Sequence, residues 1–172
     1  MRKIALLGAT GSIGRSTLDV VTAFPEDFRI VALAAGRRIE PLAEAARRFR
    51  PEIVSVARAE DVAAFRALAP DFRGEVAHGA EGLDACAEWS GADTVVAALV
   101  GAVGLSSAHA ALRAGKRLAL ANKETMVVAG EMMAKAAVAS GAEIVPVDSE
   151  HSAIHQALRA GAPAEVERLV LT

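Results

Sequence analysis

The chain has 172 residues, 53% of them apolar and 3% aromatic, and carries a formal net charge of −2. That is material for one packed domain filled by Ala, Val, Leu and Ile, and the near-neutral balance argues against a nucleic-acid surface or a disordered acidic tail. A single cysteine, Cys86, excludes an intramolecular disulfide and fits a reducing, cytoplasmic setting; residues 4–7 are too short a run for a secretory leader, and 94–103 too short for the ~20 residues that cross a bilayer.

Short β-branched runs alternate with Ala-rich amphipathic stretches. Strands are predicted at 3–7, 28–34, 53–56, 75–77, 94–97, 117–120, 143–146 and 167–171, and helices at 12–24, 41–49, 59–68, 83–88, 105–114, 125–140 and 149–160. Pro25 and Pro51 follow helix ends, and Pro41 suits a first helical turn. Gly115, Gly141 and Gly161 fall where a left-handed residue closes a helix. The alternation predicts an α/β fold of Rossmann type, a doubly wound and mostly parallel sheet.

The first strand runs into Gly8-Ala9-Thr10-Gly11-Ser12-Ile13-Gly14, which opens the first helix. Small residues there let backbone approach a pyrophosphate, and the free amides and dipole of the helix start favour its charge. Ala9 stands where the commoner Gly-x-Gly-x-x-Gly loop has its first glycine; the alternative is a tight turn without a ligand. The second strand ends Ala35-Gly36-Arg37-Arg38, with no carboxylate before Glu40. An NAD site places an acidic residue there, whereas two guanidiniums grip the 2′-phosphate of NADPH. The alternative is a solvated basic turn.

Further along, Cys86 sits in a small amphipathic segment and reads as a packed thiol, and Trp89 reads as packing at a helix end. The sixth strand ends Ala121-Asn122-Lys123-Glu124, where open α/β sheets place ligands; Glu124 is also a good first-turn residue. The seventh leads into Pro146-Val147-Asp148-Ser149-Glu150-His151. Asp148 and Glu150 are hard oxygen donors that suit Mg²⁺ or Mn²⁺, but spacing alone slightly favours a capped helix. His151 and His155 lie four apart in the order Glu-His-x-x-x-His, not that of a zinc metalloprotease, and read as helix-surface residues. The absence of tyrosine excludes a short-chain dehydrogenase.

The glycine-rich loop, Asn122-Lys123-Glu124 and Pro146 to His151, in this order and spacing, resemble the 1-deoxy-D-xylulose 5-phosphate reductoisomerases, with support from residues 16–21 and 100–102. The resemblance implies conversion of that sugar phosphate to 2-C-methyl-D-erythritol 4-phosphate in non-mevalonate isoprenoid synthesis, with NADPH and Mg²⁺ or Mn²⁺. It implies that Thr10, Gly11, Ser12 and Ile13 hold the cofactor phosphates and that Gly36, Arg37 and Arg38 hold the 2′-phosphate end. The family often has Lys-Asn at the last two positions. Asn122 and Glu124 would contact NADPH, Lys123 the substrate, Asp148 and Glu150 the metal, and Ser149 and Glu150 the substrate as well. Family members are longer, so residues 1–147 are expected to form the NADPH-binding domain and 148–172 the incomplete start of a catalytic domain, inactive alone. A homodimer is expected of the full-length enzyme. A non-catalytic NADP-binding redox sensor would account for the loop and the arginines, but not for Asn122-Lys123-Glu124 or Asp148-x-Glu150.

Overall fold

The computed structural model describes residues 1–170. Seven parallel strands form one sheet: β1 (Arg2–Leu7), β2 (Phe28–Ala34), β3 (Ile53–Val56), β4 (Glu75–His78), β5 (Thr94–Ala97), β6 (Arg117–Leu120) and β7 (Ile144–Pro146). Their order is β4-β3-β2-β1-β5-β6-β7. The chain builds outward from β1 to one edge, then returns to the other side of β1. A ligand crevice is expected at such a reversal, outside the carboxyl ends of the strands. The sheet is thus parallel throughout, and the doubly wound architecture is as anticipated.

Helices cover both faces: α1 (Ser12–Ala23), α2 (Ile39–Phe49), α3 (Asp61–Leu68), α4 (Gly79–Glu88), α5 (Leu105–Arg113), α6 (Lys123–Ser140) and α7 (Ser149–Leu158). Alternation along the strands sends successive side chains to opposite faces. Leu6, Leu33 and Val54 pack with Leu42 of α2 and Phe65 of α3. Leu7, Val31 and Val95 pack on the other side with Cys86 of α4, Leu112 of α5 and Met133 of α6. Each such Leu or Phe contributes about 1.5–3 kcal/mol through burial. Because both faces are covered, β1 from Ile4 to Leu7, all of β3 and all of β5 are buried without a polar-facing side.

Gly115 and Gly141 adopt positive φ, 70° and 73°, and close α5 and α6 as expected; Gly161 does not, and a non-glycine, Arg50 (φ 47°), closes α2. α4 begins at Gly79 instead of residue 83, and α6 at Lys123 instead of 125, with a break at Ala129. A strand predicted at 167–171 is not formed over 167–170. Those residues are exposed and pair with no described strand, and Leu171 lies outside the described residues. Apolar patterning alone does not make a strand, which needs pairing with a neighbour to form. Among the described residues, no helix is long and apolar enough to cross a membrane.

Candidate cofactor and metal site

The glycine-rich turn is tied to the end of β2: the Gly8 and Ala9 amides both donate to the Ala34 carbonyl, each at 2.9 Å. Gly8 has φ +93°, and a Cβ there would lie 2.8 Å from the carbonyl carbon of Ala98, just past β5. This glycine therefore both makes the turn and lets β1 and β5 close upon the crevice. At Gly14 a Cβ would lie 2.6 Å from the Ala9 carbonyl carbon, so α1 sits directly on the turn. Ala9 needs no such freedom and is core, 1% exposed. α1 has no side-chain cap and no acidic residue in its first turn. The amides of Ser12, Ile13 and Gly14 lack intrahelical acceptors, which leaves a cradle of donors and an unopposed positive helix end, a fit for a pyrophosphate.

Gly36, Arg37 and Arg38 are exposed after β2. Arg38 stands at the N-cap position of α2 without capping it, and donates from its guanidinium to the Thr10 carbonyl. Arg37 takes another direction. Its charge reaches Asp61, a buried carboxylate at the start of α3 that Arg58 grips at 3.0 and 2.9 Å. Hydrogen bonding to Arg58, against the cost of burial and with the charges of Arg58 and Arg37 assisting, holds the Asp61 carboxyl below its ordinary value. The Arg58–Asp61 pair had its signal in the sequence, an i,i+3 basic–acidic pair opening a helix.

Asn122 is 5% exposed at the start of α6. Its amide donates at 2.6 Å to the carbonyl of Gly101, which begins a 3-10 turn (Gly101–Gly104) after β5. Its side-chain oxygen is buried without a partner among the described residues. Such an acceptor is costly unless something donates to it, and a cofactor amide would. Glu124 is exposed in the first turn of α6.

Lys123, Asp148 and His151 line one cavity of about 270 Å³ between the ends of β6 and β7. Asp148 caps α7, accepting from the His151 amide at 3.2 Å and pairing with the His151 ring. Burial opposes its charge, but the hydrogen bonds and charge of His151 outweigh it, and the carboxyl lies below its ordinary 3.8. Glu150 accepts from the Ser149 hydroxyl at 2.6 Å. That bond first, then the backbone and the charge of Lys123, holds its carboxyl below 4.5. Both carboxylates are thus ionised oxygen donors near neutrality, a donor set that fits Mg²⁺ or Mn²⁺. Among the described residues, no group of three His, Cys, Asp or Glu is placed to hold a metal. His151 is exposed on α7, as read, and pairs with Asp148, while the His155 Nε2 is buried without a partner among the described residues.

Cys86 is fully buried, its thiol pushed up to about 12 by burial and the charge of Glu75, and the Trp89 indole donates to Glu52 at 2.8 Å. Both are packing residues.

An all-parallel sheet reversing at β1, with a glycine turn there and basic residues after β2, defines a dinucleotide-binding domain of Rossmann type. The family model of 1-deoxy-D-xylulose 5-phosphate reductoisomerase matches residues 4–130, and the chain belongs to that family. It is 53% identical to the reductoisomerase of Symbiobacterium thermophilum over 98% of its own length, and 49% identical to that of Chlorobium phaeovibrioides over 100%. The chain spans about 45% of the length of both. Among solved structures, the Zymomonas mobilis reductoisomerase in complex with NADPH matches with a TM-score of 0.86 at 41% identity, covering 90% of this chain and 41% of that one. A reductoisomerase holding NADPH, fosmidomycin and magnesium matches with a TM-score of 0.87 at 44% identity, over 91% and 38%.

Proposed function

We propose that this chain is the NADPH-binding part, with the start of the catalytic part from Asp148, of an enzyme that reduces and rearranges 1-deoxy-D-xylulose 5-phosphate to 2-C-methyl-D-erythritol 4-phosphate in cytoplasmic, non-mevalonate isoprenoid synthesis. One observation carries this reading: the three motifs lie at the carboxyl ends of β1, β6 and β7, on one edge of the sheet, with Lys123 and Asp148 in one cavity. Identity extending over the whole chain with reductoisomerases supports it.

The backbone amides at Thr10 to Ile13 hold the cofactor pyrophosphate, and Gly36, Arg37 and Arg38 receive the 2′-phosphate. The unpartnered oxygen of Asn122 accepts from the cofactor, and Glu124 contacts it from the first turn of α6. NADPH supplies hydride when bound, while the protein fixes its orientation. Lys123 binds substrate oxygens by charge. Ser149 and Glu150 orient the substrate, and Asp148 and Glu150 hold a divalent cation. A cation there would supply Lewis-acid polarisation of the carbonyl and hydroxyl oxygens. The complete enzyme functions as a homodimer.

The test is NADPH oxidation by the intact protein with the sugar phosphate and Mg²⁺ or Mn²⁺. Glu150→Gln is expected to lower turnover about a hundredfold or more and leave NADPH affinity unchanged. Residues 1–172 alone are expected to bind NADPH without turnover, because two side chains hold loosely an ion that takes about six oxygen ligands. Metal-independent turnover, or equal use of NADH, would refute the reading.

A further inference from the structure

Between α1 and α2 lies a cavity of about 500 Å³ that opens at the glycine turn and runs along α2 to Phe49. Thr10 and Ser12 of the glycine turn form its upper end. Arg15 enters from α1 and Arg38 from the start of α2. One turn further along the helices come the carboxylates Asp19 and Glu44, then Arg48. Positive charge is therefore concentrated at the end nearest the glycine turn.

The three guanidiniums are not equivalent. Arg38 donates to the Thr10 carbonyl. Arg48 donates to the Thr22 hydroxyl at 2.9 Å and lies over the Phe49 ring, 5.1 Å from its centre. Arg15 lines the same cavity, and its guanidinium makes no hydrogen bond or ion pair with any described residue. Arg37, the other basic residue after β2, is not in the lining.

We propose that Arg15 is a specificity-determining residue for the cofactor, binding the 2′-phosphate of NADPH from the α1 side, opposite Arg38. The inference rests on the NADPH reading above. A phosphate dianion presents three acceptor oxygens, enough for two guanidinium forks at once. Because Arg15 has no ion pair to surrender, no competing bond within the protein has to break before it engages the phosphate. Thr10, Ser12 and the uncapped start of α1 lie at the same end. NADH carries a neutral hydroxyl at this position and gains nothing from the charge.

The experiment titrates the intact protein and Arg15→Gln with NADPH, NADH, adenosine 2′,5′-bisphosphate and 5′-AMP. Arg15 is exposed, so the substitution leaves the core intact, and a melting curve checks the fold. Affinity for NADPH and the bisphosphate is expected to fall about tenfold, while NADH and 5′-AMP stay within about twofold. Arg15→Lys is expected to recover part of the loss, since it keeps the charge without the fork. Unchanged NADPH affinity in Arg15→Gln, or equal losses for NADPH and NADH, overturns the proposal. A wild-type protein that prefers NADPH by a margin insensitive to Arg15 removes Arg15 alone. A wild-type protein with no preference refutes the cofactor reading, and Arg15 with it.

Discussion

Arg37 and Arg38 are neighbours in sequence but reach different surroundings, one close enough to act on Asp61 and the other bonded to Thr10. Their charges still share the space beyond β2, and Coulombic attraction to a phosphate does not need a common contact. Replacing both by alanine is expected to lower NADPH affinity at least about tenfold and leave NADH nearly unchanged, as read by titration. Equal losses for both cofactors would mean that neither arginine reads the phosphate. Cys86 is a contrasting residue. With its thiol pushed up to about 12, it is protonated throughout the neutral range. The thiolate is the reactive form, so a chromogenic disulfide reagent is expected to leave native protein unlabelled near neutral pH and to label it only on unfolding. Rapid labelling of the folded protein would show that the thiol is reachable.

Gly14 is where two elements touch. A methyl group there meets the backbone of Gly8 and Ala9, neither of which has a flexible end to give way. Gly14→Ala is expected to cost about 1–3 kcal/mol, seen as a fall of several degrees in melting temperature. Gly36→Ala is the stability control, because a Cβ at Gly36 has nothing within 4 Å. Equal melting temperatures for the two variants would mean that α1 stands off the turn. The same packing logic explains which elements could be read from the sequence. β2, β3, β5 and β6 begin and end as predicted, each a short β-branched or aliphatic run entered from a charged residue, Asp27, Glu52, Asp93 and Lys116 respectively. The start of α4 could not be read: Gly79-Ala80-Glu81-Gly82 looks like a turn, yet Gly82 is helical because α4 presses on β3 and β4, its Cβ position 3.1 Å from Ala77. Tertiary packing overrode propensity there. The candidate site was legible where a motif sat at a strand end, as with Asn122 and Asp148. Arg15 was invisible, since only the approach of α2 gives that side chain a cavity.

At the scale of the molecule, β1 is the centre of the sheet, paired with β2 on one side and β5 on the other. Its Ala5, Leu6 and Leu7 are 0% exposed. Amide exchange is expected to be slowest in these residues and faster in the outermost strands β4 and β7, none of whose residues is fully buried. Faster exchange in β1 than in β7 would contradict the topology. The position of β1 also governs how the protein is made. During synthesis β1 emerges before both of its partners, and β2 can join it early. Its other partner, Thr94–Ala97, is translated only after β2, β3 and β4. Until then a growing chain carries the bare edge of an apolar strand, a template for wrong pairing. That edge is also where Gly8 meets Ala98. The nucleotide crevice therefore gains its second wall only when β5 joins the sheet.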